Sequence, residues 1–261
     1  MRGRGLAATV LAVTLALPAV APASAQPLAD SVGLVDATKG LWFLRDAGGA
    51  AWSFYYGVPG DLPFVGDWDC DGVDTPGMYR PTTGLVYLRN SASTGTADIS
   101  FFFGIPGDIP LAGDWDGDGC DTLGVYRDGE VFIRNSLGLG VADQSFYFGG
   151  PGDRPFAGDF DGDGDGTVGL YREGTWRIYV RHSLTSGLAD LEFYFGMPGD
   201  RVVAGDWDGD GDDTAGIYRR SAGRFYLSNE NGRAVADIEI PFGGGPFTPV
   251  AGSFERTPDG A

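Results

Sequence analysis

The stretch Gly113-Asp-Trp-Asp-Gly-Asp-Gly119 decides the fold, because it is one copy of a unit that the chain repeats. Its upstream marker is Gly104-Ile-Pro-Gly-Asp108 and its downstream marker is Gly124-Val-Tyr-Arg127. The turn segment recurs at Gly57 to Asp61, Gly149 to Asp153 and Gly196 to Asp200. The acidic segment begins at Asp67, Asp114, Asp159 and Asp206, with offsets of 47, 45 and 47 residues. An eroded fifth copy, Val250-Ala-Gly-Ser-Phe254, places Ser253 a further 47 residues on.

Each copy holds four short segments rich in Val, Ile, Tyr and Phe, punctuated by Gly, Asp and Asn. In the second copy the expected strands are Leu111 to Trp115, Thr122 to Tyr126, Val131 to Asn135 and Asp143 to Phe148. No useful window has the 3.6-residue apolar spacing of a helix. Four strands per unit of this length is the signature of a propeller blade, which makes the chain all-β. The ends predict closure. Val32 to Val35, Leu41 to Arg45 and Ala51 to Tyr56 match strands two, three and four, and Pro249 to Phe254 supplies the missing first strand. Sharing one blade between the two ends hides sheet edges that would otherwise recruit other chains. The expectation is a five-bladed β-propeller; an open solenoid or a domain-swapped array is the alternative, because repeats alone do not impose closure.

The acidic loops read as metal sites. Asp67, Asp69, Asp71 and Asp74 occupy positions one, three, five and eight of the first loop; Asp114, Asp116, Asp118 and Asp121 do so in the second, and Asp206, Asp208, Asp210 and Asp213 in the fourth. Carboxylates at positions one, three and five of a tight loop converge on one point. Glycine at position six permits the sharp turn that frees the carbonyl of position seven. The acid at position eight is expected to close the shell. Hard oxygen ligands in that number suit Ca2+ better than magnesium. An EF-hand is excluded, since its bidentate glutamate would fall at Met78, Val125, Leu170 or Ile217. Solvated turns also favour Asp and Gly, but chance turns do not set three alternating aspartates at one register four times. The third loop keeps Asp159, Asp161 and Asp163 but has Gly166 at position eight and Asp165 one residue early, which predicts a weaker or more hydrated site. Ser253, Glu255 and Thr257 stand in the fifth copy, where no metal is expected.

These motifs resemble the FG-GAP, or VCBS, repeat, the blade of integrin-α-like propellers and of many secreted bacterial proteins, and the resemblance spans nearly all of residues 26–261. It implies calcium held between the first two strands of a blade, with roles in adhesion, recognition or presentation of an attached domain. Two departures stand out: the last acid falls at position eight where integrin-type loops carry it at nine (Thr75, Thr122, Thr167 and Thr214 here), and there is material for five blades instead of seven.

Composition narrows the partners. Residues 1–25 read as an export signal: Arg2 and Arg4, an apolar run from Leu6 to Val20, then Ala23-Ser24-Ala25, predicting a single domain over residues 26–261. Loss of the two arginines takes the formal net charge from −18 to −20. A chain so acidic repels nucleic acid and anionic lipid, and no other stretch is apolar enough for membrane insertion. Its 17 Phe, 11 Tyr and 6 Trp argue against disorder, since so many rings can fill a core. Cys70 and Cys120 lie in equivalent loops of neighbouring repeats, and in an exported protein such a pair predicts one disulfide.

The remaining features point away from catalysis. His182 is the single histidine and stands where matching positions hold Asn90 and Asn135, as a surface variant would. There is no G-x-S-x-G, H-E-x-x-H or phosphate loop. The arginines of the Tyr-Arg pairs, Arg80, Arg127, Arg172 and Arg219, are expected to tie a neighbouring acid or carbonyl. Trp68, Trp115, Phe160 and Trp207 are expected to pack. The reading is a secreted, monomeric, calcium-binding module that recognises protein or glycan, at the cell surface or free of it. The alternative is a glycoside hydrolase, which needs two acids outside the repeat facing a common funnel; Glu130, Glu173 and Glu192 are the acids that break the pattern.

Overall fold

A computed structural model of the protein describes residues 29–256. The export segment and Thr257 lie outside the described residues. The first three strands, β1 (Ser31–Asp36), β2 (Leu41–Arg45) and β3 (Ala51–Tyr55), form a meander whose open edge is filled from the far end of the chain. Four complete meanders follow. The first comprises β4 (Leu62–Gly66), β5 (Thr75–Arg80), β6 (Leu85–Leu88) and β7 (Ile99–Phe102); the second β8 (Ile109–Gly113), β9 (Thr122–Arg127), β10 (Glu130–Arg134) and β11 (Gln144–Tyr147). The third comprises β12 (Arg154–Gly158), β13 (Thr167–Arg172), β14 (Arg177–Val180) and β15 (Leu191–Tyr194); the fourth β16 (Arg201–Gly205), β17 (Thr214–Arg219), β18 (Arg224–Leu227) and β19 (Ile238–Pro241). The last strand, β20 (Thr248–Gly252), pairs antiparallel with β1, so the order in the shared sheet is β20-β1-β2-β3.

The protein is therefore a five-bladed β-propeller closed by a shared blade, and no helix occurs among the described residues. The first strands of neighbouring blades pack on one another around the axis: β4 on β8, β8 on β12, β12 on β16, β16 on β20 and β20 on β4. Five hydrophobic clusters fill the seams between blades. Phe64, Trp68 and Tyr79 of the first blade, for example, meet Leu123 and Val125 of the second. The strand-two glycines make this packing possible: a methyl at Gly169 would collide with the ring of Phe156.

Expected strand boundaries move by one or two residues, most clearly in the second blade. The first strand of the second blade ends at Gly113 instead of running to Trp115. Asp114 leaves the ladder because its carbonyl accepts the Gly166 N–H of the next blade at 2.5 Å. The expected packing role of the loop aromatics holds, with Trp68, Trp115, Phe160 and Trp207 all buried. The three indoles donate to the carbonyls of Thr75, Thr122 and Thr214.

Candidate metal centre

Each acidic loop joins the first strand of a blade to the second, so all four open on one face. Inside a loop, the position-one carboxylate organises the turn. Asp67 accepts the N–H groups of Asp71 at 3.1 Å and Gly72 at 2.8 Å, and Asp114, Asp159 and Asp206 repeat the pattern. Position four takes the left-handed backbone, at Gly117 (φ 68°), Gly162 (φ 68°) and Gly209 (φ 78°), with Cys70 at φ 64° in the first loop. The result is four convergent groups: Asp67, Asp69 and Asp71; Asp114, Asp116 and Asp118; Asp159, Asp161 and Asp163; Asp206, Asp208 and Asp210. Within each, three carboxylate oxygens lie within 4.8 Å of one another, which is a geometry that can hold a metal ion. Partial burial raises the Asp69, Asp161 and Asp208 carboxyls above their ordinary range, and their neighbours' charges add to the rise.

The position-eight acids do not join these groups, which corrects the expected ligand set. Asp74, Asp121 and Asp213 turn to the preceding blade instead. Asp121 donates its N–H to the Asp67 carbonyl at 2.9 Å and accepts the Asp67 N–H on Oδ2 at 2.9 Å. Asp213 holds Asp159 in the same two-point way, and Asp74 holds Ser253. Asp30 does so with Asp206, standing in for the position-eight acid of the shared blade. Gly166 makes only the backbone half of the link, to Asp114. Together the five links run round the ring and clamp each blade to the last. They line an axial cavity of about 270 Å3. Burial pushes the Asp30 and Asp121 carboxyls up to about 7; their backbone hydrogen bonds oppose the rise, and the charges of Asp206 and Asp67 respectively add to it. Burial likewise holds Asp74 and Asp213 well above the carboxylate range.

Neighbouring loops also touch at a second register. Cys70 at position four of the first loop is bonded to Cys120 at position seven of the second, closing the predicted disulfide over a separation of 50 residues. Asp165 abuts Gly117, and Asp212 abuts Gly162, in the same relation without the covalent bond. A loop of that size is worth about 4 kcal/mol in the chain-entropy account.

Sequence reasoning missed the residues beside position three. Asn135 donates from Nδ2 to Asp116 Oδ2 at 2.7 Å, Asn90 offsets part of the rise of the Asp69 carboxyl, and His182 Nδ1 lies 3.2 Å from Asp161 Oδ2. His182 is thus part of the third loop's surroundings, not a surface variant without a role. The available signal was the repeat offset: Asn90 and His182 each follow the position-three acid by the same 21 residues.

The opposite face treats its acids differently. Asp61, Asp108, Asp153 and Asp200, at the ends of the Pro-Gly-Asp turns, are buried and ion-paired with Arg80, Arg127, Arg172 and Arg219 through both carboxylate oxygens. The second oxygen also accepts a turn N–H, from Val58, Ile105, Gly150 and Met197 respectively. Each guanidinium stacks on a ring, namely Tyr87, Phe132, Tyr179 and Tyr226. The paired tyrosines donate to the next blade's turn, as Tyr126 does to the Gly150 carbonyl at 2.9 Å. The Tyr-Arg pairs are scaffold, as the repeat implied. Of the glutamates outside the repeat, Glu173 contacts Arg154 and Arg201, Glu192 contacts Arg177, and Glu130 contacts Tyr147.

No protein-family model matches the chain, and no curated protein matches it at a significant level. Among the described residues, no helix is long and apolar enough to cross a membrane.

Proposed function

We propose that this protein is a secreted, calcium-binding β-propeller of the FG-GAP/VCBS type that serves as a non-catalytic recognition module for an extracellular glycan or protein. The observation that carries the calcium reading is the contrast in charge compensation. Each aspartate that ends a Pro-Gly-Asp turn in the four complete blades has its own arginine, whereas each loop triplet crowds three carboxylates whose oxygens lie within 4.8 Å of one another. Such close like charges repel strongly unless a cation sits among them. Oxygen-only donors in a glycine-hinged loop suit calcium. In each triplet the ligands would be the carboxylates of positions one, three and five. The disulfide supports an oxidising, extracytoplasmic setting.

The Pro-Gly-Asp turns lie together on the face opposite the acidic loops, where a monomer would present a binding surface to a partner. Native mass spectrometry of residues 26–261 in millimolar calcium tests the metal reading. Three or four bound ions are expected, the third loop filling last. A folded chain that carries none rejects it. A glycan array run beside a reducing-sugar release assay tests the recognition reading: capture without turnover is expected, and turnover abolished by substituting a glutamate would replace it with a hydrolase.

A further inference from the structure

On the turn face the departures from the repeat converge on one place. The residue that opens the innermost strand is Leu62, Ile109 and Thr248 in three blades, but Arg154 and Arg201 in the third and fourth. The residue just past the second strand is Ala37, Pro81 and Asp128 in three blades, but Glu173 and Arg220 in the same third and fourth. Repeated positions serve the scaffold, so a cluster of non-repeated charges at the mouth of the channel calls for another reason.

These side chains meet. Glu173 Oε1 accepts from Arg154 Nε at 2.6 Å and also from Arg201 Nη1. Burial, with the charges of Arg154 and Arg220, lowers the Arg201 pKa below the usual guanidinium value, so the three cations feel one another. The acids that precede Arg154 and Arg201 in the chain, Asp153 and Asp200, are already taken by Arg172 and Arg219. Three guanidiniums therefore face one free carboxylate. Counting Asp128, which shares a cavity of about 460 Å3 with Arg154 in the adjoining groove, still leaves a positive surplus in a chain of net charge −18.

Many of the donors are unspent. Among the described residues, Arg154 has no protein partner for either terminal amino group, and Arg201 has none for Nε or Nη2. Arg220 spends Nη2 on the Phe247 carbonyl at 3.1 Å, while its Nε is buried without a hydrogen-bond partner. Guanidinium forks of this kind bind carboxylate and phosphate oxygens in pairs. An extended polyanion would meet the overall repulsion of a chain of net charge −18, which a compact anion held at the patch feels less.

We propose that Arg154, Arg201 and Arg220 form an anion-binding site at the turn-face mouth of the channel, which takes the carboxylate or phosphate of a sugar unit carrying one or two negative charges. This deepens the recognition reading and rests on it for the sugar. Titration calorimetry of the full chain in calcium, with glucuronate, glucose 6-phosphate and glucose as probes, separates carboxylate from phosphate and both from the neutral sugar. At least one anion should bind tenfold or more tighter than glucose, and weaken severalfold between about 50 and 300 mM salt. The double variant Arg154→Leu, Arg201→Ile carries residues that other blades already use there, so it should fold; it should lose tenfold or more in anion affinity. Glu173→Gln removes the internal competitor and should bind the anion severalfold tighter. Absence of anion binding by the folded protein, or an unchanged affinity in the double variant, overturns the site. If the array still captures neutral glycans in that event, the recognition reading stands without it; if glucuronate binds but no glycan is captured, the site stands and the glycan reading falls.

Discussion

The two faces of the propeller handle the same residue in opposite ways. On the turn face, Asp61, Asp108, Asp153 and Asp200 are buried at 5% exposure or less, and each is matched by an arginine from its own blade. On the loop face, twelve aspartates stand in four triplets whose third and fifth positions are exposed. A buried carboxylate needs a partner at once, because desolvation of an unpaired charge costs several kcal/mol. An exposed triplet is tolerable in water and becomes stabilising only when a cation arrives. The difference teaches that the turn face is closed by the chain's own charges, while the loop face depends on the solution around it.

The largest test of that contrast is chelation. If free calcium is about 100 times the dissociation constant, each site contributes roughly 2.7 kcal/mol, and three sites roughly 8. That rivals the whole stability of an ordinary domain, so the melting temperature should fall by about 20 °C in excess chelator, read by calorimetry. An unchanged melt would erase the distinction between the faces.

A matched pair of substitutions sharpens it. Asp108→Asn leaves Arg127 without its ion pair and should cost about 3 kcal/mol in guanidinium unfolding, with or without calcium, while the number of bound ions stays the same. Asp116→Asn should remove one ion from the mass spectrum and cost stability in calcium, yet change little in chelator. Equal behaviour of the two variants would break the comparison.

A smaller effect concerns pH in the metal-free protein. The Asp30 and Asp121 pKa values are near 7 in the fold against a usual value of 3.8, so the folded state holds these protons more tightly than the unfolded chain. Their contribution is fully present below about pH 4 and is lost as pH rises through about 7. The chelated propeller should therefore become less stable from pH 4 to pH 7. Calcium requires ionised ligands, so the loaded protein should show the opposite slope.

The smallest effect lies within the turn face. Arg80 and Arg172 donate from Nη1 to the hydroxyls of Tyr87 and Tyr179, at 2.5 and 3.2 Å, but Arg127 faces Phe132. Phe132→Tyr should supply the missing acceptor and add about 0.5–1 kcal/mol, a rise of a few degrees in the melt.

Much of this was legible in the chain. The period, the four strands per unit, the split blade and the disulfide partners all follow from residues at fixed spacing, and positions one, three and five converge because one short loop carries all three. The same register misled at position eight. Asp74, Asp121 and Asp213 look like further ligands in a linear motif, but each bonds a backbone 54 or more residues away. Asp30, outside every motif, completes the same ring.

Local order along the chain thus carries the propeller and its acidic loops, since strand, turn and ligand spacing are set by neighbours a few residues apart. The blade clamps and the arginine cluster at the channel mouth arise where neighbouring blades meet, and the His182 contact where the third blade folds on itself. Closure brings together side chains from separate strands and blades, and the direction each one takes is set by packing between sheets and by which buried polar group most needs a partner.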